Sequence, residues 1–240
     1  SRIIEFGMIR YSSIICVSKR INKFANKFYG KTYYLPPIIP DSYIKKGLSK
    51  LKESSNKKLN NALFLGRIDK RKGILEVLKI AKFTKDLINW TISGIKIDSD
   101  KPQSILKELK EIDYIKLIMN NREEYKSTIE DDVIEYFYKN DFFLQPYKNL
   151  KSTVDLPLLI LEAQACGCIV ITSLPELLND YLLYPSKAFK DFDPSEVKDY
   201  MLNFYKNTDF NQSIKLAILN IKSNYSNKII FKKFIKILND

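Results

Sequence analysis

The sequence predicts an α/β fold, a parallel sheet with helices on both faces and a helical C-terminus, and three observations support this. Short apolar runs recur between residues 62 and 172. Between them lie stretches whose apolar residues repeat at three and four positions, the spacing of one helix face. After residue 173 only such helical stripes are evident. Repeated strand–helix units imply a parallel sheet, because each helix returns the chain to start the next strand in the same direction.

Taken in order, residues 13–17 (SIICV) read as a strand, and residues 19–28 as a short helix through Ile21, Phe24 and Phe28. Residues 33–40 (YYLPPIIP) are extended and punctuated by proline, and residues 44–58 form a polar stretch rich in lysine and serine. A domain boundary is placed there: residues 1–45 are the remnant of one domain plus a linker, and residues 46–240 are the sheet domain. A strand over 62–65 is followed by a helix through Ile74, Val77, Leu78 and Ala81, then a strand over 90–93. The alternation continues with a helix at 104–111, a strand at 115–119, a helix at 130–138 and a strand at 142–145. A helix at 157–166, stopped by Gly167, precedes the strand at 169–172. The remainder reads as helical, with stripes Val197, Tyr200, Met201, Phe204, then Ile214, Ala217, Ile218, Ile221, then Ile230, Phe234, Ile237.

Composition narrows the chemistry. The chain has 240 residues, three cysteines and no histidine. Nucleophile pairs that need an imidazole base are therefore excluded, and no metal site is expected. Cys16, Cys166 and Cys168 read as small core residues of a reducing compartment. The longest apolar run, around residues 156–161, contains Pro157 and stops at Glu162, far short of the roughly 20 residues a membrane span needs. The chain opens at Ser1 with no basic-then-apolar leader, so a cytoplasmic protein is expected. A net charge of +12 points to an anionic partner: nucleic acid, a lipid surface or a phosphorylated small molecule. The lysines are spread over nearly every helix, which is also how an ordinary solvated surface looks.

Two segments carry candidate chemistry. The loop after the strand at 62–65 reads Gly66, Arg67, Ile68, Asp69, Lys70, Arg71, Lys72, Gly73, with four cations in one turn. Gly66 permits close backbone approach, and Arg67 and Lys72 bracket a helix start near Gly73 whose N–H groups favour anions, so a diphosphate fits; an exposed polar loop is the plainer alternative. In the second segment, residues 152–167, Asp155 can cap a helix opened by Pro157, and Glu162 falls among Leu158, Leu159, Leu161, Ala163 and Ala165. Such flanks predict a buried carboxylate, which needs donors such as a pair of ribose hydroxyls or else an internal ion pair.

Taken together, FLGRIDKRKGILEVL and DFFLQPYKNLKSTVDLPLLILEAQACGCIVITS resemble the retaining glycosyltransferases of family 4, of GT-B fold. IICVSKRINKF looks like that family's last acceptor-domain strand, YYLPPIIP like its interdomain linker, and NYSNKIIFKKF like its terminal helix, so nearly the whole chain is covered. The resemblance implies a Rossmann-like donor-binding domain preceded by the remnant of an acceptor domain. It implies that Arg67 and Lys72 stabilise the departing diphosphate, that Gly66 and the backbone N–H groups of Leu158 and Leu159 line it, and that the base lies near Met119 to Arg122. Glu162 matches the second Glu of the family's E-x7-E motif, which binds the ribose; the first falls at Val154 here, with Asp155 one place later. Pro157 stands where the family often has Gly, and the family's acceptor-domain histidine has no counterpart.

The implied activity is transfer of a hexose from a UDP- or GDP-sugar to a glycan or lipid-linked acceptor with retention. No cofactor or metal is expected, and neither is nucleic acid, whereas peripheral attachment to an anionic membrane is compatible. The chain alone is expected to bind nucleotide and to transfer sugar poorly. The competing hypothesis is a basic Rossmann-like module, degenerate at Val154 and Pro157, that binds nucleic acid or an anionic membrane.

Overall fold

A computed structural model of the chain describes residues 13–53, 58–95, 103–120, 129–148, 157–206 and 210–240. It opens with β1 (Ile14–Cys16), α1 (Lys19–Ala25) and β2 (Thr32–Tyr34), and the two strands form a small parallel sheet of their own. Ser18 caps α1 by accepting a hydrogen bond from Ile21 N–H at 3.1 Å. Next come α2 (Asp41–Glu53), β3 (Asn61–Arg67), α3 (Ile74–Thr84), β4 (Asn89–Ile95), α4 (Gln103–Glu111), β5 (Ile115–Asn120), α5 (Ile129–Lys139) and β6 (Phe142–Gln145). The chain finishes through α6 (Leu158–Ala165), β7 (Ile169–Ser173), α7 (Pro175–Leu178), β8 (Lys187–Phe189), α8 (Pro194–Lys206), α9 (Asn211–Tyr225) and α10 (Asn227–Leu238). The main sheet has the order β5-β4-β3-β6-β7-β8, and every pair in it is parallel.

The central strands are nearly pure apolar runs because both of their faces are covered. Leu63, Phe64, Phe142, Phe143, Val170 and Ile171 are all fully buried. Phe142 and Phe143 are adjacent and point to opposite sides. Phe142 meets Phe204 of α8 edge-on at 6.3 Å, and Phe143 meets Phe137 of α5 edge-on at 5.1 Å. One layer thus contains α8, packed on α3, and the other contains α5, packed on α2, which also packs with α6 and α9. Each such phenylalanine contributes about 1.5 to 3 kcal/mol through burial. The cysteines are core residues, and burial pushes the Cys168 thiol up to about 11, so it stays protonated.

Three segments differ from the sequence expectation. Residues 41–53, polar by composition, form helix α2, which runs unbroken across positions 45 and 46 and buries Tyr43, Ile44, Gly47 and Lys50 against the sheet domain. Residues 32–34 are a paired strand, and residues 187–189, within the stretch expected to be wholly helical, add an edge strand to the sheet. Among the described residues, no helix is long and apolar enough to cross a membrane.

Candidate functional site

The order of the sheet places a crevice. From β3 it grows through β4 to β5 on one side, and through β6 and β7 to β8 on the other. Connections leaving the carboxyl ends of β3 and β6 therefore diverge, and open α/β sheets bind ligands at such a switch point. Gly66 and Arg67 end β3, and Gln145 ends β6.

The loop after β3 is more structured than a generic basic turn. Lys70–Lys72 form one turn of 3-10 helix, and Gly73, in the left-handed region at φ 76°, links it to α3. The helix expected near Gly73 is thus two elements. Asp69 caps the first by accepting from Arg71 N–H at 2.8 Å, and its carboxylate also binds the Arg71 guanidinium at 2.8 Å. That pairing holds the Asp69 carboxyl below its ordinary value. Arg71 is thus ion-paired, although its side chain is 62% exposed. Arg67 is exposed and Lys72 is half-buried. Burial first, and then the nearby Arg67 guanidinium, lower the Lys72 pKa from its ordinary value. Two neighbouring cations are held together here at a cost in mutual repulsion, and a bound anion relieves that cost.

A seam joins this loop to the one after β6. A side chain on Gly73 would place its Cβ 1.9 Å from the carbonyl oxygen of Pro146, so only glycine allows the two backbones to approach this closely. Lys148 N–H donates to Arg71 O at 3.1 Å, and the Lys148 ammonium pairs with Glu76 in the first turn of α3. Ile68 is buried under the loop, and Gly94 of β4 leaves room for it, since a Cβ there would lie 2.5 Å from the Ile68 side chain.

Strand register sets the remaining positions. Gly66 pairs with Gly94, which pairs with Met119, so these residues form one row across three carboxyl ends, spanning about 10 Å at the usual strand spacing. Pro157 precedes α6, and Leu158 and Leu159 occupy its first turn, where backbone N–H groups lack intrahelical acceptors. Leu158, at the helix start, is 44% exposed. Glu162 is partly exposed, where its flanks predict burial. Val154, Asp155 and Arg122 lie outside the described residues. The structure therefore brings Gly66, Arg67 and Lys72 together, with Met119 in the same row as Gly66.

The family described as "Glycosyl transferases group 1" matches residues 47–218. The chain belongs to that family. Its fold is that of the GT-B glycosyltransferases. HepE from Anabaena, solved in complex with UDP and glucose, is similar at TM-score 0.70 and 13% identity, over 100% of this chain and 66% of that one. Sucrose-phosphate synthase from Thermosynechococcus elongatus is similar at TM-score 0.67 and 16% identity, over 99% of this chain and 60% of that one. The C-terminal domain of a group 1 glycosyl transferase (LpcC) from Francisella tularensis gives 0.56 and 15%, over 75% of this chain and 93% of that domain. The chain thus spans less than two thirds of the first two proteins. No curated protein sequence matches it.

In this group 1 glycosyl transferase, sequence reasoning missed Gly94, Pro146, Tyr147 and Lys148 as parts of the site. Gly94 carried a signal, since it is a glycine next to the last residue of its strand, at the ligand-binding edge. The other three carried a positional one, because they directly follow β6. The ion pair of Arg71 with Asp69 carried a local one, since the two lie two residues apart in one turn.

Proposed function

We propose that this chain is the donor-binding half of a glycosyltransferase that moves a hexose from a UDP- or GDP-sugar to a glycan or lipid-linked acceptor, with retention at the anomeric carbon. The observation that carries the reading is that Arg67 and a half-buried Lys72 lie close enough to repel at the switch point, in a loop where Arg71 is ion-paired with Asp69. HepE, of similar fold, is solved with UDP and glucose, which supports a nucleotide sugar as the donor.

In this reading Arg67 and Lys72 take up the negative charge that develops on the diphosphate as the bond to the sugar breaks. The Leu158 and Leu159 N–H groups add donors at a helix start, Glu162 accepts from the ribose hydroxyls, and Asp155 takes the place of the missing first carboxylate. The base rests near Met119, at the far end of the row that begins at Gly66. The departing phosphate oxygen accepts the proton of the acceptor hydroxyl as that hydroxyl attacks the same face of the sugar. Acceptor recognition falls to polypeptide outside these residues, so the chain alone binds nucleotide and transfers poorly. A cytoplasmic setting with peripheral contact to an anionic membrane suits a lipid-linked acceptor.

Calorimetric titration with UDP, GDP, ADP and their hexose conjugates tests the site. One nucleotide is expected to bind selectively, with affinity about tenfold weaker in each of Arg67→Ala, Lys72→Ala and Glu162→Ala, the loss of one charged hydrogen bond. EDTA leaves the isotherm unchanged, because the cationic loop and not a metal holds the diphosphate. Binding that is indifferent to the nucleotide and collapses steeply with salt would instead identify a general polyanion surface.

The lowered Lys72 pKa adds a pH dependence. Its ammonium is the form that binds the diphosphate, and the bound anion raises its pKa. The Lys72 contribution to affinity is therefore complete below the free-state pKa and lost as pH rises through the bound-state pKa. Titrations at alkaline pH in buffers of different ionisation enthalpy are expected to show proton uptake on binding, absent in Lys72→Ala. Equal uptake in both proteins would remove Lys72 from the site.

A further inference from the structure

Lys72 stands over an aromatic ring. Its Nζ is 4.8 Å from the centre of the Tyr147 ring, which is itself only 4% exposed. The backbone that carries the ring is held by hydrogen bonds. Ser173 Oγ donates to Tyr147 O at 2.6 Å, and Tyr147 N–H donates to Gln145 O at 3.0 Å. Pro146, the preceding residue, is the one pressed against Gly73.

A lysine ammonium on a four-carbon stem samples many positions, and ordering it for one ligand costs conformational entropy. An aromatic face beneath it compensates lost hydration through the ring quadrupole and leaves N–H donors directed away from the ring. The same face limits where the ammonium can go before the ligand arrives, which is preorganisation. We infer that Tyr147 is a positioning residue, which holds the Lys72 ammonium in place for the diphosphate of the donor. The inference rests on the reading of Arg67 and Lys72 as the diphosphate site. It extends that site to the loop after β6, and gives the seam between the two loops a part in binding.

The test is calorimetry on the full chain with whichever of UDP, GDP and ADP the wild type binds. Four proteins are compared: wild type, Tyr147→Phe, Tyr147→Leu, and the chain with pentafluorophenylalanine at position 147, each also in the Lys72→Ala background. Tyr147→Phe keeps the ring and is expected to bind within about twofold of wild type. Pentafluorophenylalanine preserves ring shape while reversing the charge on its face, and is expected to bind about fivefold more weakly than the phenylalanine variant. Tyr147→Leu is expected to lose at least as much, and both losses vanish in the Lys72→Ala background, where there is no ammonium to hold. Should leucine fail to fold, the comparison of phenylalanine with its fluorinated form decides alone. Equal affinity for those two, or equal losses in both backgrounds, overturns the role of Tyr147 and leaves the donor site standing. A folded wild type that binds none of the three nucleotides overturns the donor site and this inference with it.

Discussion

Gly73→Ala is expected to lose about 3 kcal/mol of stability and to weaken nucleotide binding more than tenfold, the largest combined effect of any single methyl group in the site. Two costs add. Alanine at φ 76° pays about 1 to 2 kcal/mol for the left-handed conformation. The new Cβ would also lie 1.9 Å from Pro146 O and 2.6 Å from Pro146 Cγ, and the first of these is backbone that cannot rotate away. Either the loop after β3 or the loop after β6 has to move, and Lys72 is the residue beside the displaced point. Urea unfolding gives the first effect and calorimetry of the folded protein the second. Gly30→Ala is the control, because nothing lies within 4 Å of its Cβ position. A Gly73→Ala protein as stable as wild type would show that the seam is loose, and would remove the basis for coupling the two loops.

Much of the sheet is readable in the sequence for a physical reason. Strands buried on both faces must be apolar at every position, so residues 62–65, 142–144 and 169–171 announce themselves without any partner being known. Helix α2 does not. Its buried positions Tyr43, Ile44, Gly47 and Lys50 do follow a helical period, but two of the four are a glycine and a lysine. Gly47 is there because a side chain would place its Cβ 2.1 Å from Ala165 O of α6, a demand set by a helix more than a hundred residues away in sequence. Strand β8 is three residues long and carries too little pattern to be seen. In the site, the cations of the first loop are legible because charge and glycine crowd a single turn. The seam is not, since Gly73 with Pro146 and Lys72 with Tyr147 are pairings of distant residues, and neither Pro146 nor Tyr147 bears a charge to draw attention.

Lys50 provides the second large effect, at the opposite edge of the sheet. It is 7% exposed, and its ammonium donates to Phe137 O at 3.2 Å and to Asn140 O, both at the C-terminal end of α5. There the free carbonyls of a helix end favour a cation. The ammonium also lies 3.9 Å from Oδ1 of Asp141, itself 3% exposed. The other oxygen of Asp141 accepts from the N–H groups of Asn60 and Asn61, at 3.0 Å each, at the start of β3. One buried lysine thus ties α2 to the end of α5 and, through Asp141, to the first strand of the sheet. Lys50→Ala removes the charged donor from two carbonyls, which keep the weaker Cys168 thiol at 3.1 Å each, and leaves Asp141 with a buried charge that only backbone donors offset, for an expected loss of about 3 to 5 kcal/mol. Lys50→Met restores the apolar volume but not the charge, so it is expected to fall between wild type and alanine. Adding Asp141→Asn to Lys50→Met keeps an oxygen for the Asn60 and Asn61 donors while removing the unpaired charge, and is expected to recover stability relative to Lys50→Met alone. If the second substitution lowers stability further by the same amount as it does in the wild type, the two charges are not coupled and the lysine acts through the carbonyls alone. In every one of these proteins the nucleotide affinity of the folded fraction is expected to stay at the wild-type value, because the cluster sits at the amino edge of the strands while the cationic loop sits at the carboxyl edge.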